Sequence, residues 1–308
     1  MSKQWLPSLI LLLLTSAVLA APTPPGASGY APGDPQACLG CHGATGMKPA
    51  AGILSTPHGK KAHPDGPMNK QGCQSCHGPS AQHLSQYVNG KPTKPTVTFN
   101  GDATPVDAQN QTCLGCHENS ARSHWDGSQH QFAGVSCTNC HQIHKSPDPV
   151  LFKETQKEVC FNCHKDKRAQ IHKTSAHPLV ENLMTCTSCH NPHGSATESQ
   201  LVKGSVNETC FQCHAEKRGP FLWEHPPAQE NCSNCHQPHG SVHTPMLTSR
   251  GPWVCQQCHM AGYHPSTAYS GSGGPPNGAA QQMLSKDCLN CHTQVHGSNH
   301  PSGVRLTR

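Results

Sequence analysis

All 20 cysteines of this 308-residue chain lie in ten Cys-x-x-Cys-His units, with none left over. We number these units one to ten along the chain. Their cysteine pairs are Cys38 and Cys41, Cys73 and Cys76, Cys113 and Cys116, Cys137 and Cys140, Cys160 and Cys163, Cys186 and Cys189, Cys210 and Cys213, Cys232 and Cys235, Cys255 and Cys258, and Cys288 and Cys291. The histidines that complete them are His42, His77, His117, His141, His164, His190, His214, His236, His259 and His292.

This spacing is the attachment signature of c-type haem. The two cysteines form thioethers to the porphyrin, and the adjacent histidine becomes the proximal ligand of the iron. The sequence therefore predicts ten covalently bound haem c groups and points to electron transfer.

Zinc ribbons, thioredoxin-like redox sites and disulfide frameworks also use Cys-x-x-Cys pairs. None of them needs a histidine directly after the second cysteine. Only 25 of the 308 residues are His, yet all ten units have one at this position. A disulfide framework would also have irregular spacings, so the haem interpretation is strongly favoured.

The units form a repeat. The segments CTNCHQIH (137–144), CTSCHNPHGS (186–195) and CSNCHQPHGS (232–241) alternate with CLGCHENSAR (113–122), CFNCHKDKRA (160–169) and CFQCHAEKRG (210–219). Consecutive units therefore group into five motif pairs, numbered here one to five. A fixed period predicts a quasi-linear array in which each repeat contacts its neighbours.

The composition does not support an ordinary hydrophobic core. Apolar residues make up 33% and aromatic residues 5% of the chain, with 28 Gly and 28 Pro. Such a chain alone resembles a loop-rich or disordered one. We expect the porphyrins to form the core of a mostly irregular multihaem fold, with short α-helices of one or two turns and no substantial β-sheet. The apoprotein is expected to be largely unfolded.

Residues 1–20 are predicted to be a signal peptide. Lys3 supplies the charged region, Leu9 to Leu14 the apolar region, and Val18-Leu19-Ala20 a small-residue cleavage site. An uncleaved membrane anchor is the alternative, although the apolar run is short for a bilayer span. Export agrees with covalent haem attachment outside the cytoplasm, so we expect a periplasmic protein.

The formal net charge of +5 does not indicate a nucleic-acid partner. Each haem brings two ionised propionates, which turn the expected charge of the holoprotein negative. No nucleic-acid binding is therefore predicted.

Fifteen histidines remain after the proximal ligands are assigned, and ten of them recur in register with the repeat. These ten are predicted as distal iron ligands: His58, His83, His130, His144, His177, His193, His225, His239, His264 and His296. His63, His124, His172, His243 and His300 are left over as surface or propionate-bonding histidines, and Met260 is expected to pack rather than bind iron. Irons with two histidine ligands have no open position for substrate, so no catalytic residue is predicted.

Two longer spacers interrupt the repeat. Residues 78–112 contain KPTKPTVTFNGDATPVD (91–107), which is expected to be an extended segment with turns. Residues 265–287, which include SGSGGPPNG, are expected to form a flexible loop. A solvated spacer is the simpler interpretation of each, and a contact with a partner is the alternative.

The motifs HWDGSQH (124–130), EKRGPFLWEHPPAQENC (216–232) and CHTQVHGSNHPSG (291–303), together with the ten units, resemble the MtrA/DmsE family of periplasmic decahaem c-type cytochromes. The resemblance covers almost the whole chain after residue 20. It implies a bis-histidine haem wire of two pentahaem halves, residues 21–172 and 173–308, inserted in an outer-membrane β-barrel porin of the MtrB type.

The resemblance also implies that electrons pass between periplasmic or inner-membrane cytochromes and extracellular partners, such as an outer-surface multihaem cytochrome or iron and manganese oxides. Iron-oxidising relatives carry electrons inward from Fe(II), so the direction stays open. A free periplasmic electron shuttle and, less favoured, a multihaem reductase are the alternatives.

Overall fold

The computed structural model describes residues 29–32, 35–46, 48–99, 101, 103–259 and 287–307. The predicted signal peptide at 1–20, Met260, His264 and the loop 265–286 lie outside the described residues.

Short helices separated by irregular chain make up this fold. The α-helices are α1 (Pro35–His42), α2 (Gln74–His77), α3 (Ala81–Ser85), α4 (Val106–His117), α5 (Gln129–Phe132), α6 (Cys137–Cys140), α7 (Lys153–Phe161), α8 (Lys165–Ile171), α9 (Val206–Cys210), α10 (Pro226–Glu230) and α11 (Trp253–Gln256). Single 3₁₀ turns occupy Ala51–Ser55, Pro57–Gly59, Pro67–Asn69, Ser120–Arg122, Pro149–Leu151, Cys186–Ser188, Ala215–Lys217, Cys232–Asn234 and Cys288–Asn290.

The two units of a motif pair have different local structures. The first unit of each pair begins within an α-helix or at its end, in α1, α4, α7, α9 and α11. The second unit is a single turn of α- or 3₁₀-helix. Four of these turns begin after a residue suited to an N-cap, namely Ser136, Thr185, Asn231 and Asp287. The side chains of Asn231 and Asp287 accept a backbone N–H of the turn, whereas the backbone N–H groups of Ser136 and Thr185 donate to the side chains three residues later. Such local bonds allow so short a turn to form.

The β-structure consists of two small antiparallel ribbons. Strand β1 (Tyr87–Val88) pairs with β2 (Lys91–Pro92), and β3 (Trp223–Glu224) pairs with β4 (Gly297–Ser298). The expectation of a mostly irregular fold with short helices and little sheet is therefore confirmed. In the described part of the chain no helix has the length and apolar character needed to cross a membrane.

Two local expectations were wrong. Helix α4 has 12 residues, which is about three turns rather than one or two. Residues 106 and 107, the end of the segment expected to be extended, lie in its first turn, because Pro105 begins the helix and no Pro or Gly interrupts the next seven residues. The same spacer also contains α3 and the β1–β2 hairpin.

Few apolar side chains are buried. The buried set comprises Ala31, Ile53, Met68, Leu114, Trp125, Phe161, Ile171, Leu247 and Leu306, and among the described residues no large side chain is less than 2% exposed. A set of nine residues is small for a chain of this length, since a single domain normally buries most of its large apolar side chains. The polypeptide alone therefore provides only a small part of a stable core.

Glycine is required directly after two of the repeat histidines. Gly194 and Gly240 have φ angles of +104° and +129°, and an added Cβ would lie 2.1 Å from the His124 carbonyl oxygen and 2.3 Å from that of Gln170, respectively. Residues that carry a side chain rarely adopt this backbone conformation. The recurring His-Gly-Ser motif is thus a sharp turn packed against the backbone of the preceding motif pair.

Candidate haem-binding site

The first cysteines of the two units in each motif pair are neighbours. Their thiols are in hydrogen-bond contact in all five pairs: Cys38 with Cys73, Cys113 with Cys137, Cys160 with Cys186, Cys210 with Cys232, and Cys255 with Cys288. These contacts group the units into the same five pairs as the repeat in the sequence. Each pair therefore presents two adjacent attachment points.

Nine histidines of the units each lie opposite one of the predicted distal histidines. The ring centroids are 5.8–6.3 Å apart in the pairs His42–His83, His58–His117, His77–His144, His130–His164, His141–His193, His177–His214, His190–His239, His225–His259 and His236–His296. His292 is the remaining unit histidine, and His264, which was predicted as a distal ligand, lies outside the described residues.

This separation suits one metal ion between two imidazoles. With metal–nitrogen bonds of about 2.0 Å, two imidazoles on opposite sides of an ion have ring centroids about 6 Å apart. The Nε2 atoms of His58 and His117 face each other at 3.5 Å, slightly closer than such an ion requires. The residues present therefore fit c-type haem, with two cysteines, one adjacent histidine and a second histidine opposite it.

Most of these pairs join different parts of the chain. Eight of the nine connect a unit with a histidine from the adjacent motif pair. The exchange is reciprocal: motif pair two presents His130 to His164 of motif pair three, which presents His193 to His141. The same exchange occurs at all four junctions between motif pairs. Only His42–His83 at the beginning of the array stays within motif pair one.

Hydrogen bonds fix the orientation of the distal imidazoles. The Nδ1–H of His130 donates to the carbonyl oxygen of Pro192 at 2.7 Å, and His177 donates to Pro238 at 2.8 Å. Because Pro192 directly precedes His193, each bond also ties the two distal histidines of a junction together. A donating Nδ1 leaves Nε2 as the nitrogen available to a metal.

The unit histidines are oriented in the same way by their Nδ1–H groups. The acceptors of His42, His77, His190, His236 and His292 are the carbonyl oxygens of Lys48, Val97, Ser199, Pro245 and Arg305. His141 differs, because its Nδ1 donates to the carboxylate of Asp148 at 2.8 Å.

One continuous cavity of about 5190 Å³ runs past most of the units. Both cysteines and the histidine of units three to ten line it, together with apolar side chains such as Trp125, Phe161 and Leu247. A large cavity lined by apolar groups and evenly distributed ligands suits a series of porphyrins better than one small-molecule substrate.

Burial favours the neutral form of several of these imidazoles. It lowers the pKa of His193 and of His239 to about 4, with the neighbouring rings of His141 and His190 adding to the effect. The pKa values of His77, His117, His144 and His296 are also lowered, primarily by burial. Neutral imidazole is the form that binds a metal ion.

The paired thiols of motif pairs two, three and four have opposite pKa shifts. The hydrogen bond between Cys113 and Cys137 lowers the pKa of Cys137 to about 7 and raises that of Cys113. The pairs Cys160–Cys186 and Cys210–Cys232 behave in the same way. In the unmodified polypeptide the second thiol of these three pairs is therefore the more acidic, and the more readily ionised.

Sequence reasoning missed a set of buried amides that join the two units of a motif pair. Asn110, three residues before Cys113, accepts the backbone N–H of Cys137 at 2.9 Å and donates to the Val135 carbonyl. Asn207, three residues before Cys210, accepts the N–H of Cys232 at 2.8 Å. The recurrence of Asn at this one offset was the available signal.

Among the described residues the cysteines form neither disulfides nor clusters of protein metal ligands. All 20 cysteines are free thiols. Across the described segments, no three His, Cys, Asp or Glu residues converge as they would around a metal ion held by protein ligands alone. Of the leftover histidines, His63 and His243 line the cavity, whereas His124, His172 and His300 are exposed.

Comparison with known proteins gives the same assignment. Residues 130–169, 177–219 and 225–263 match the doubled CXXCH motif family, and residues 80–142 match the family of cytochrome c554 and c-prime.

The chain is also similar to two curated cytochromes. It is 42% identical over 282 residues to the multiheme cytochrome MtrA of Shewanella baltica, covering 91% of this chain and 83% of that protein. It is 29% identical over 91 residues to the cytochrome c-type protein NrfB of Haemophilus influenzae, covering 29% of this chain and 37% of that one.

Proposed function

Because the chain belongs to the MtrA family of multihaem c-type cytochromes, we propose that it conducts electrons across the outer membrane inside a β-barrel porin. It is an electron-transfer cytochrome with covalently bound haem, not an enzyme. Beyond this family-level assignment, we propose the number of haems, the iron ligands, the porin partner and the cellular location.

The nine facing imidazole pairs are the observation that carries the proposal. A bound haem supplies an iron that alternates between Fe(III) and Fe(II). Two histidines on one iron leave no position for substrate, so the site exchanges electrons without binding a small molecule. We assign the ten unit histidines as proximal ligands and the ten repeat-register histidines, including His264, as distal ligands of ten haems.

The polypeptide holds successive motif pairs together along the array. Reciprocal ligand exchange links each motif pair to the next, so that no unit can move away from its neighbours without losing an imidazole. The adjacent first cysteines of each pair, such as Cys160 and Cys186, keep two attachment points together. Units three to ten line one cavity, which supports an uninterrupted path.

The sequence and the family support the proposed location and partners. Residues 1–20 would direct export to the periplasm, where the protein would associate with an MtrB-like porin. Periplasmic or inner-membrane cytochromes would exchange electrons with it at one end, and an outer-surface multihaem cytochrome or a metal oxide at the other. The direction is set by the potentials of these partners, because a conductor carries electrons either way.

The division into pentahaem halves, 21–172 and 173–308, is part of the same proposal. His141 and His193 come from opposite sides of this boundary, as do the hydrogen-bonded residues Asn191 and Ala121. The two halves would therefore be joined through a shared iron site and would act as one conductor.

Reconstitution tests the proposal. The holoprotein and a candidate MtrB-like porin are placed in liposomes loaded with a reduced redox dye, and Fe(III) citrate is added outside. Oxidation of the dye that needs both proteins supports the conduit. Porin alone and cytochrome alone are the controls. Failure of the pair to co-purify in detergent, together with no dye oxidation, favours a free periplasmic shuttle.

The reductase alternative predicts a different spectrum. An enzymatic haem keeps one axial position open, which gives a high-spin ferric signal in electron paramagnetic resonance. A fully low-spin spectrum rules out this alternative.

A further inference from the structure

Asp148 occupies a distinctive place in the haem-binding site. Its Oδ2 accepts the Nδ1–H of His141, the unit-four histidine, at 2.8 Å, and its Oδ1 accepts the backbone N–H of Gln142 at 3.1 Å. The side chains of His141 and Asp148 are only 27% and 13% exposed. Both carboxylate oxygens are thus held in place, and water screens this pair less than it screens a surface pair.

The equivalent bonds elsewhere in the repeat are uncharged. In units six and eight, the Nδ1–H of His190 donates to the Ser199 carbonyl and that of His236 to the Pro245 carbonyl, at 2.9 and 3.0 Å. These two units match unit four in other respects, because their facing imidazoles lie at interplanar angles of 13° and 11°, compared with 10° for His141–His193. The carboxylate is the difference that distinguishes unit four from its counterparts.

A carboxylate hydrogen-bonded to a ligand histidine makes the imidazole more electron-donating. Reduction adds one electron to the iron, breaks no bond and removes one positive charge. Both the nearby negative charge and the stronger donation stabilise Fe(III) over Fe(II). The reduction potential of the iron therefore falls.

We propose that Asp148 is a positioning and tuning residue that makes the unit-four haem lower in potential than the haems of units six and eight. This inference rests on the proposed iron ligation by His141. It would place a low-potential step between motif pairs two and three, near the middle of the array, which electrons must cross in either direction.

The test is D148N in the full-length holoprotein, which removes the charge and keeps the shape. Haem content is measured first, followed by a spectroelectrochemical redox titration. We expect a component of about one tenth of the total haem absorbance change to move to a more positive potential. D148E, which retains the charge, should restore the wild-type profile.

E216Q is the matched control. Glu216 Oε1 lies 3.9 Å from Nδ1 of His214, beyond hydrogen-bonding distance, and the Glu216 side chain is 60% exposed. We expect its redox profile to shift much less than that of D148N, because this carboxylate is exposed to solvent and makes no hydrogen bond to the unit histidine. The inference is overturned if D148N retains all its haems and titrates like the wild type, or if D148E shifts as far as D148N.

A second measurement needs no substitution. In near-infrared magnetic circular dichroism, the ligand-to-iron charge-transfer band shifts when a histidine ligand gains anionic character. The wild-type protein should show a minor shifted band beside the main one, and a single unshifted band contradicts the inference. Neither readout depends on a porin, so failure of the liposome assay and failure of this inference are separate outcomes.

Discussion

The imidazole rings of His141 and His193 face each other 6.2 Å apart and only 10° from parallel, although they belong to different motif pairs. His193 is half-buried beside Trp125, whose ring centroid lies 6.5 Å away, and its Gly194 packs against the backbone of His124. The residue that we propose as the second axial ligand at unit four, His193, therefore reaches His141 only through the tertiary fold.

Removing that residue should open one iron. We expect H193A to convert about one haem in ten from low-spin to high-spin, because no second imidazole faces His141. Electron paramagnetic resonance and carbon monoxide binding to the reduced protein measure this change. H172A is the control, since His172 is exposed and outside the predicted ligand set. An H193A protein that stays fully low-spin would contradict the ligand assignment.

The angles between facing rings predict two spectroscopic classes of haem. The rings are within 10–13° of parallel in His141–His193, His190–His239 and His236–His296. They are at 76° and 62° in His58–His117 and His130–His164.

Parallel imidazoles split the iron d-orbitals that accept ligand electrons, whereas perpendicular ones leave them nearly equal in energy. The oxidised protein should therefore give both a rhombic signal and a strongly anisotropic low-spin signal in electron paramagnetic resonance. A spectrum with the rhombic class alone would count against these ring orientations.

The amide of Asn110 should be important for stability. It is 2% exposed and bridges α4 to the backbone of Cys137 and Val135. Replacing it with Ala leaves a half-buried N–H and a half-buried carbonyl without this partner, which costs at most about 1–3 kcal/mol per unsatisfied group, because water can reach such groups in part.

We therefore expect N110A to lower the free energy of unfolding of the holoprotein in guanidinium chloride. T112A is the matched control, because Thr112 is less buried than Asn110, lies on the same helix and donates its hydroxyl hydrogen bond to Ala108 within that helix. Equal stability of the two variants would show that the bridge contributes little.

Acidification should destabilise the fold in a defined pH window. The pKa values of His193 and His239 are lowered to about 4, first by burial. An unfolded histidine has a pKa of about 6.5, so between about pH 6.5 and pH 4 the unfolded chain binds protons that the folded chain does not. Stability is therefore lost as the pH falls through this window. Iron coordination excludes the same proton, so it acts in the same direction.

Chemical denaturation at pH 7 and pH 5 measures this loss. H239M should show a smaller loss between the two pH values, because methionine can still bind iron but is not protonated in this range. A pH dependence equal to that of the wild type would argue against a contribution from His239.

Haem attachment should be required for folding. Only nine apolar residues are buried in the described structure, and large side chains such as Phe132 and Leu151 are exposed. A chain made without the haem-attachment machinery should have little helical circular dichroism and be digested rapidly by proteases, because it has too little apolar surface to bury. A compact, resistant apoprotein would contradict this expectation.

The sequence by itself determined the local chemistry. The ten units, their grouping into five pairs and the ten candidate distal histidines are all fixed by spacing along the chain, and nine of those histidines lie opposite a unit histidine. Short helices also followed from local composition. The length of helix α4 did not follow from local composition. The turn-rich residues before Pro105 suggested an irregular chain, but no Pro or Gly interrupts the helix between Pro105 and Cys113.

Only the tertiary structure decided which histidine faces which. Spacing cannot show that His130 turns towards His164 or that His193 returns to His141, because these contacts depend on how successive motif pairs pack. The contact between Asp148 and His141 was also hidden, although the two residues are only seven apart, because spacing alone does not show which acceptor the chain brings to Nδ1. Attachment is local and is therefore encoded in the motif, whereas the proposed axial ligation depends mostly on contacts between successive motif pairs.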